Sequence, residues 1–587
     1  MLISSLKIWN FKGINAEEGI RLDFKPITLL FGPNNGGKST VLHALQYLHE
    51  IFCQQSTQVD RTELGGDFVN LGGFASMVHG KDLSQKISFQ IDLDLSGTGL
   101  PDYSIQPDEG KEFEEFRRKW ARYEEALGEV ESASVHIDIA WSVQKQTPFV
   151  SKYEVAINKQ VLATIVADAP KSPAYVQNLD VAHPILRDQQ ETELVIHELK
   201  EETEQQDKRT QEPIVNPLDG LALAAALFVP QLRPAVGAYA AYRVLSTASD
   251  VQVEELPEEE KVALPALNEI VLADWQYTGA LPVFGKPLEM TLPQAEDESE
   301  IDEQTSSYFL SSLIAGPGEL ISEALDKLLY IGPMRTIPGR EFIPQQTKSK
   351  GRWASGLAAW DRLAAPGMEK LREDVGEALH ACELPYNVVR RDSTNVEAEF
   401  LIEKLKKAAS AGGSDEALLQ AIQETLASSG DGPRILFHDP VRNIDLHPLE
   451  LGVGLSQALP ILVATLDARR NAIISVEQPE LHVHPAIQVE MGDLFIRSTK
   501  DNKDKVILLE THSEHLLLRL LKRIRQTTNQ ELGDRPELHL TPEELAIWHL
   551  ESAPSGGRCN TLGVDKEGEF TDRWPNGFFL ERLKELV

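Results

Sequence analysis

The 587-residue chain predicts an α/β fold whose main sheet is assembled from its N- and C-terminal parts, with an antiparallel β lobe and a helical insertion between them. Three observations predict it. ITLLF at 27–31 runs straight into a glycine-rich turn, and STVLHALQYLHEIF follows with apolar residues at helical spacing. From about 435 apolar runs and helical patterns alternate again, in ILVATL, NAIISVEQPE and KVILLETHSEHLLLRLLKRI. Between the two ends, KISFQIDLDL, SVHIDIAWSV and KYEVAINKQV alternate apolar and polar residues as antiparallel strands do.

In chain order the elements group into an N-terminal half of the sheet at 1–100, a mixed β and helical insertion at 101–330, a helical lobe at 331–430 and the C-terminal half at 431–587. Residues 2–9 and 20–24 open the chain as short apolar runs. DEGKEFEEFRRKWARYEEALGEVES reads as a charged helix with a solvated face, and ELKEETEQQDKRTQEP (198–213) and EDESEIDEQ (296–304) read as surface loops. Helical patterns cover about 305–330 and 357–428, with no heptad run long enough for an extended coiled coil.

Length alone implies two or three lobes. With 57 basic and 91 acidic residues the net charge is −34, so the mean field repels phosphate backbones. DNA contact is therefore expected to be weak or indirect, through a local basic patch or a basic partner. Cys53, Cys382 and Cys559 are too scattered for a disulfide framework or a metal cluster. MLISSLKIWNFKG lacks a signal-peptide layout, and LALAAALFV (221–229) is too short to cross a bilayer. A cytoplasmic protein without membrane contact is expected.

GPNNGGKST carries a phosphate-binding pattern: Gly32, four residues, then Gly37, Lys38 and Ser39. Over Gly32, Asn34, Asn35, Gly36 and Gly37 the backbone N–H groups can curl around phosphates without Cβ clashes. The helix that begins near Lys38, Ser39 and Thr40 points its positive end at the same anion. Lys38 adds a charge at the β/γ-phosphates and Ser39 offers a hydroxyl to Mg²⁺, so ATP with Mg²⁺ is the expected cofactor pair.

The remote half narrows the class. LGVGLSQALPIL (451–462), IISVEQPELHVHP and then ETHSEHLLLRL follow in that order, and IWNFKGI (8–14) opens the chain. This set resembles the SMC/RecF/OLD branch of ABC-type ATPases. The resemblance implies an ABC-type ATPase head whose signature loop is Gly452, Gly454, Ser456 and Gln457, whose acidic motif is Ile473–Gln478, whose switch histidine is His512, and whose Lys12 lies near nucleotide. In such proteins the signature loop binds the γ-phosphate held by the other subunit, which implies a homodimer or a higher assembly of dimers. Glu477 takes the position beside Mg²⁺, but Gln478 stands where a general base is usual. An amide can orient water and cannot take its proton, and loss of a positioned base costs about 10²–10⁴ in rate. Strong binding with slow or absent turnover is expected, with Glu480 two residues on as the alternative base.

Other residues keep two readings. His512 is either a γ-phosphate contact or a structural histidine at a strand end. His482 and His484 share a strand face but lack further ligands, and DLDL (92–95) is a strand pattern before it is a carboxylate pair. Arg335 can reach nucleotide, the lobe interface, or neither. Arg519, Lys522, Arg523 and Arg525 in RLLKRIR form either a solvated or acid-paired helix face or a nucleic-acid contact.

YIGPMRTIPGR (330–340) and WPNGFFLERLKEL (574–586) resemble bacterial ABC-type ATPases of phage-defence loci, including the ATPase subunit of Septu systems. That resemblance implies a nuclease partner of HNH type. OLD-type nucleases carry a Toprim domain after the switch histidine, and the about 75 residues after His512 are too few for one, so no intrinsic nuclease is expected. A RecF-like DNA-repair ATPase and a scaffold with permanently clamped nucleotide are the competing readings.

Overall fold

The computed structural model describes residues 2–56, 70–105, 111–180, 183–186, 279–288, 300–345, 350–392, 398–410, 433–467, 473–502, 505–553 and 556–574, together with 416, 419 and 422. The loop read at 198–213, the apolar run 221–229 and residues 575–586 lie outside them. Of the loop read at 296–304, residues 296–299 also lie outside, and 300–304 are not a loop but the first residues of a helix, Glu300–Ile314.

Strand β3 (Ile27–Phe31) lies inside a six-stranded sheet of order β16-β15-β3-β14-β13-β9. Its partners come from far along the chain: β9 (Leu329–Ile331), β13 (Ile473–Glu477), β14 (Val506–Glu510), β15 (Leu545–Ala553) and β16 (Gly556–Thr561). All neighbours are parallel except the β15–β16 hairpin. The unbroken apolar runs follow from burial on both faces, as parallel sheets require. Leu30 and Leu508 face one core; Leu29, Phe31, Ile507 and Leu509 face the other. The chain therefore has the expected ABC-type head, with the phosphate-loop strand flanked by C-terminal strands.

The first core is closed by a seven-stranded antiparallel sheet of order β2-β1-β4-β5-β6-β7-β8. Its strands are β1 (Ile3–Trp9), β2 (Ile20–Asp23), β4 (Ile87–Asp94), β5 (Ser132–Ser142), β6 (Thr147–Ile157), β7 (Gln160–Val166) and β8 (Tyr175–Leu179). Here alternation decides which face is buried: Ile87, Phe89, Ile91 and Leu93 point inward, and the residues between them do not. Asp92, from the DLDL run, accepts hydrogen bonds from Ser5 and Gln90 on the outer face and is structural.

Helix α1 (Lys38–Phe52) packs into this first core. The charged helix α2 (Lys111–Gly128) corrects the expectation of a mainly solvated element. Phe116, Trp120, Tyr123 and Leu127 recur at helical spacing and are buried against α3 (Glu300–Ile314). Tyr123 stacks on Phe309, centroids 4.5 Å apart, and its hydroxyl meets Ser306 at 3.0 Å. Charge in the sequence masked an aromatic stripe.

The second core holds α4 (Leu357–Ala364), α5 (Glu369–Ala381), α6 (Val453–Leu466), α7 (Pro485–Asp501) and α8 (Glu514–Thr528). The stretch at about 357–428, where helical patterns dominate, also contains β10 (Asn387–Asp392), which joins β11 (Pro433–Asp439) and β12 (Ile444–Leu446) in a small antiparallel sheet. Among the described residues no helix is long and apolar enough to cross a membrane.

Candidate nucleotide site

Parallel strands bring β3, β14 and β13 to one edge, and the predicted motifs leave from that edge. Gly32 ends β3 with φ +142°, where a Cβ would stand 1.9 Å from the Leu550 carbonyl oxygen, so only glycine fits. Asn34 and Asn35 crown the loop in solvent, with Asn35 at φ 64°. Gly36 donates to the Pro33 carbonyl, and Gly37, at φ 95°, caps α1 without a side-chain hydrogen bond. The first amides of α1 therefore face outward as an anion site. Thr40 is buried, its amide bonded to the Gly37 carbonyl. Lys38 is 4% exposed; Nζ donates to the carbonyls of Gly32 (3.0 Å) and Pro33 (2.9 Å). Burial lowers its pKa, and Glu510 opposes that shift.

Around this loop the structure gathers residues that sequence reasoning missed. Ser39 Oγ donates to Glu510 Oε2 at 2.7 Å, and Glu510 Oε1 lies 4.0 Å from Lys38 Nζ. Glu510 and Glu477 are register partners at the ends of β14 and β13. Tyr330, on β9, donates to Glu477 Oε1 at 2.7 Å. His43 Nε2 approaches the same oxygen at 3.7 Å, while Lys12 Nζ donates to His43 Nδ1 at 2.6 Å. Lys12 is thus linked to Glu477 through His43, and its positive φ of 51° is part of the turn that places it there. Burial, with Glu510 second, pushes Glu477 up to about 7. Burial and then Lys12 push His43 down to about 3, and burial takes Lys12 down to about 8. The signals were readable: His43 is one turn beyond Ser39 on α1, and Glu510 ends an apolar run one strand from the phosphate loop.

Gln478 leaves β13 with φ 45°, its amide donating to the Glu510 carbonyl at 2.8 Å. Glu480 has both oxygens engaged: Oε2 accepts from Thr511 Oγ1 at 2.7 Å and Oε1 from the His512 amide at 2.8 Å. It fastens the acidic motif to the switch segment. The His512 imidazole is half-buried beside this tie, its pKa lowered by burial and then by Lys38.

The signature helix differs from its expected presentation. α6 begins at Val453, with Gly452 as its cap and no side-chain hydrogen bond there. Val453 is 54% exposed, whereas Ser456, three residues further in, is 1% exposed and donates to the Pro448 carbonyl. The surface at this helix start is therefore backbone and Val453; the Ser456 hydroxyl faces inward. Gly454 abuts the loop after β13, where a Cβ would meet the His482 carbonyl at 2.6 Å. Gln457 donates to the Arg335 carbonyl, and Arg335 in turn donates to the carbonyls of Glu477 (2.6 Å) and Gln478 (3.0 Å). Arg335 is 4% exposed and joins the signature helix to the acidic motif, which gives it a structural role at the lobe junction.

His484 caps α7 by accepting from the Ala486 amide, and His482 is exposed at φ 62°. In the basic run, Arg519 and Arg523 pair with Asp493, Arg519 also with Glu490, and Arg525 with Glu569; Lys522 is exposed. The acid-paired reading holds for three of the four. Trp574 packs edge-on against Phe31 of the phosphate-loop strand, 5.6 Å between centroids.

The donor set suits the expected cofactors. Backbone amides at a capped-open helix start fit a polyphosphate, and the hydroxyl of Ser39 beside the carboxylates of Glu477 and Glu510 offers hard oxygen donors for Mg²⁺. A family profile described as AAA ATPase domain matches residues 1–215 and 370–517. A comparison with curated proteins finds no match. Among solved structures the chain is similar to an Smc head bound to the C-winged helix domain of ScpA (8% identity, 96% of this chain and 98% of that chain covered, TM-score 0.35). It is also similar to a Pyrococcus furiosus Smc head domain with an extended coiled coil bound to the C-terminal domain of ScpA (11%, 100% and 98%, TM-score 0.33). A third similar structure is the SMC head domain from Thermotoga maritima (7%, 96% and 100%, TM-score 0.32). Likeness of this degree adds nothing to the fold assigned from the strand order.

Proposed function

The chain belongs to the AAA ATPase domain family, and from that premise we propose that it is a nucleotide-operated switch of a bacterial anti-phage system. Two copies close head-to-tail on ATP and Mg²⁺, hydrolysis is slow, and the closed pair controls a partner nuclease of HNH type. One observation carries the reading. Gln478 occupies the position of the usual base, and Glu480, the alternative, has both carboxylate oxygens committed to Thr511 and His512. A site with a full phosphate cradle and no free base binds without consuming.

In this reading Lys38 and the α1 amides hold the β- and γ-phosphates, and Ser39 and Glu477 hold Mg²⁺. His512, Lys12 and the start of the partner's signature helix approach the γ-phosphate. Bound Mg²⁺ would neutralise phosphate charge. Glu477 stays oriented by Tyr330 and His43, and Gln478 can orient water without accepting its proton. The RecF-like alternative is weaker because Arg519, Arg523 and Arg525 are already neutralised within the chain.

The test pairs equilibrium ATP binding with steady-state hydrolysis and solution mass. Micromolar or tighter binding, ATP-dependent doubling of mass and turnover below about 0.1 per second, against a usual enzyme median of about 10 per second, fit the switch. Rapid turnover by the chain alone, or DNA-stimulated turnover, overturns it. Capture of a nuclease subunit whose cutting responds to ATP tests the partner.

A further inference from the structure

The acidic motif contributes one carboxylate at Glu477 where two are usual, yet the same edge holds a second, Glu510, on the neighbouring strand. It is 5% exposed and ends β14, between the phosphate-loop strand β3 and the acidic-motif strand β13. Its close partner is the loop hydroxyl: Ser39 Oγ donates to Oε2 at 2.7 Å. Lys38 is farther, 4.0 Å from Oε1, and spends its own donors on the carbonyls of Gly32 and Pro33. Glu510 is therefore not primarily the ion-pair partner of Lys38.

A serine hydroxyl has one proton and two lone pairs. A carboxylate that takes the proton fixes the rotor, and the lone pairs then point away from that carboxylate, toward whatever lies on the other side of the oxygen. In α1 that oxygen stands at the first turn, beside the outward-facing amides. The backbone of Glu510 is fixed as well. Its carbonyl accepts from the Gln478 amide, and the next residue, Thr511, donates its amide to Leu30 of β3. The carboxylate is thus held between the two strands whose ends carry the phosphate loop and Glu477.

We propose that Glu510 is a positioning residue for the nucleotide's divalent cation: it orients the Ser39 hydroxyl as a metal ligand and places a second carboxylate beside Glu477, from the adjacent strand. The inference rests on the reading of this edge as an ATP–Mg²⁺ site. It separates two functions that a paired acidic motif combines. Metal holding is restored by Glu510, whereas the base missing at Gln478 is not, because Glu510 lies on the Ser39 side of the site. The consequence is a protein whose affinity depends strongly on Mg²⁺ although its turnover is slow.

The experiment measures equilibrium binding of a fluorescent ATP analogue to the full chain, once with Mg²⁺ and once with excess EDTA. The wild type is compared with Glu510→Ala, Glu510→Gln, Ser39→Ala and the Glu510→Ala/Ser39→Ala pair. The expected result is an affinity gain from Mg²⁺ that shrinks about tenfold in Glu510→Ala, while the metal-free affinity stays within about threefold of wild type. The double variant is expected to lose little more than either single one, because the two residues act as a unit. An undiminished Mg²⁺ gain, equal losses with and without metal, or additive losses in the pair would each overturn the proposal. Should Glu510→Ala not fold, as thermal unfolding would reveal, Glu510→Gln keeps the shape and removes the charge, and its Mg²⁺ gain decides in the same way. A wild type that binds no nucleotide in either buffer overturns the underlying ATP reading and Glu510's role with it. That outcome is told apart by the wild type alone.

Discussion

The phosphate loop and the signature loop border the same edge of the parallel sheet, yet one is far easier to read than the other. The phosphate loop is complete within nine residues. Its turn demands glycine at Gly37 for its own backbone angle and at Gly32 also because the Leu550 carbonyl crowds it, and Lys38 folds onto carbonyls five and six residues away. The signature loop depends on where a helix starts. A start at Val453 puts Ser456 one turn inside, facing Pro448, and leaves backbone and a valine outside. Motifs whose geometry is fixed by their own backbone survive translation from sequence. Motifs whose exposure depends on a helix boundary move about 4.5 Å along the axis, nearly one turn inward, when that boundary moves by three residues.

The comparison can be broken or sharpened by four measurements. The largest effect is expected at the edge between the loops. Gln478→Glu should raise steady-state hydrolysis about 10²-fold or more by restoring a proton acceptor; an unchanged rate would show that the base position lies elsewhere. Next comes the pH dependence of Glu477. Its folded pKa, raised to about 7 from 4.5, means that its contribution to stability is complete below 4.5 and lost as pH rises through 7. Wild type should therefore lose on the order of 3 kcal/mol of unfolding free energy over that window relative to Glu477→Gln. Parallel pH profiles for the two proteins would remove the burial argument. Third, Lys38→Ala should weaken ATP binding about 100-fold, the cost of a charge-assisted phosphate contact. Smallest is the signature pair. Val453→Glu should weaken ATP-driven association about tenfold by setting a carboxylate against the partner's phosphates, while Ser456→Ala should change it by less than about threefold. The reverse ranking, read by light scattering, would put the serine back at the interface.

Much of the fold was legible for the same physical reason as the phosphate loop. The runs ITLLF and VILLE are buried throughout and largely apolar because both faces are covered, and ISFQIDLD alternates because one face is not. The helix at 111–128 was legible as a helix but not as a packing element. Its acidic and basic residues outnumber Phe116, Trp120, Tyr123 and Leu127, and only their spacing gives the buried stripe away. In the site, Lys12, Lys38, Ser39, Glu477 and Glu510 converge from remote parts of the sequence; Ser39 and Glu510 alone differ by 471 positions. Nothing local announces such a pairing. Arg335 illustrates the converse: an arginine beside a motif invites a catalytic reading, and three backbone carbonyls within its reach make it a brace.

The central position of β3 has a consequence for how the protein is made. Its ladder partners, β14 and β15, begin at Val506 and Leu545, so the strand leaves the ribosome long before either neighbour exists. At the usual translation speed of about 5–20 residues per second that interval lasts roughly half a minute to two minutes. Throughout it, a largely apolar pentapeptide with two open edges must be kept from pairing with other chains. Competence to hold nucleotide thus arrives only after β14 and β15 have been made, and products truncated before them would carry a lysine loop with no floor beneath it.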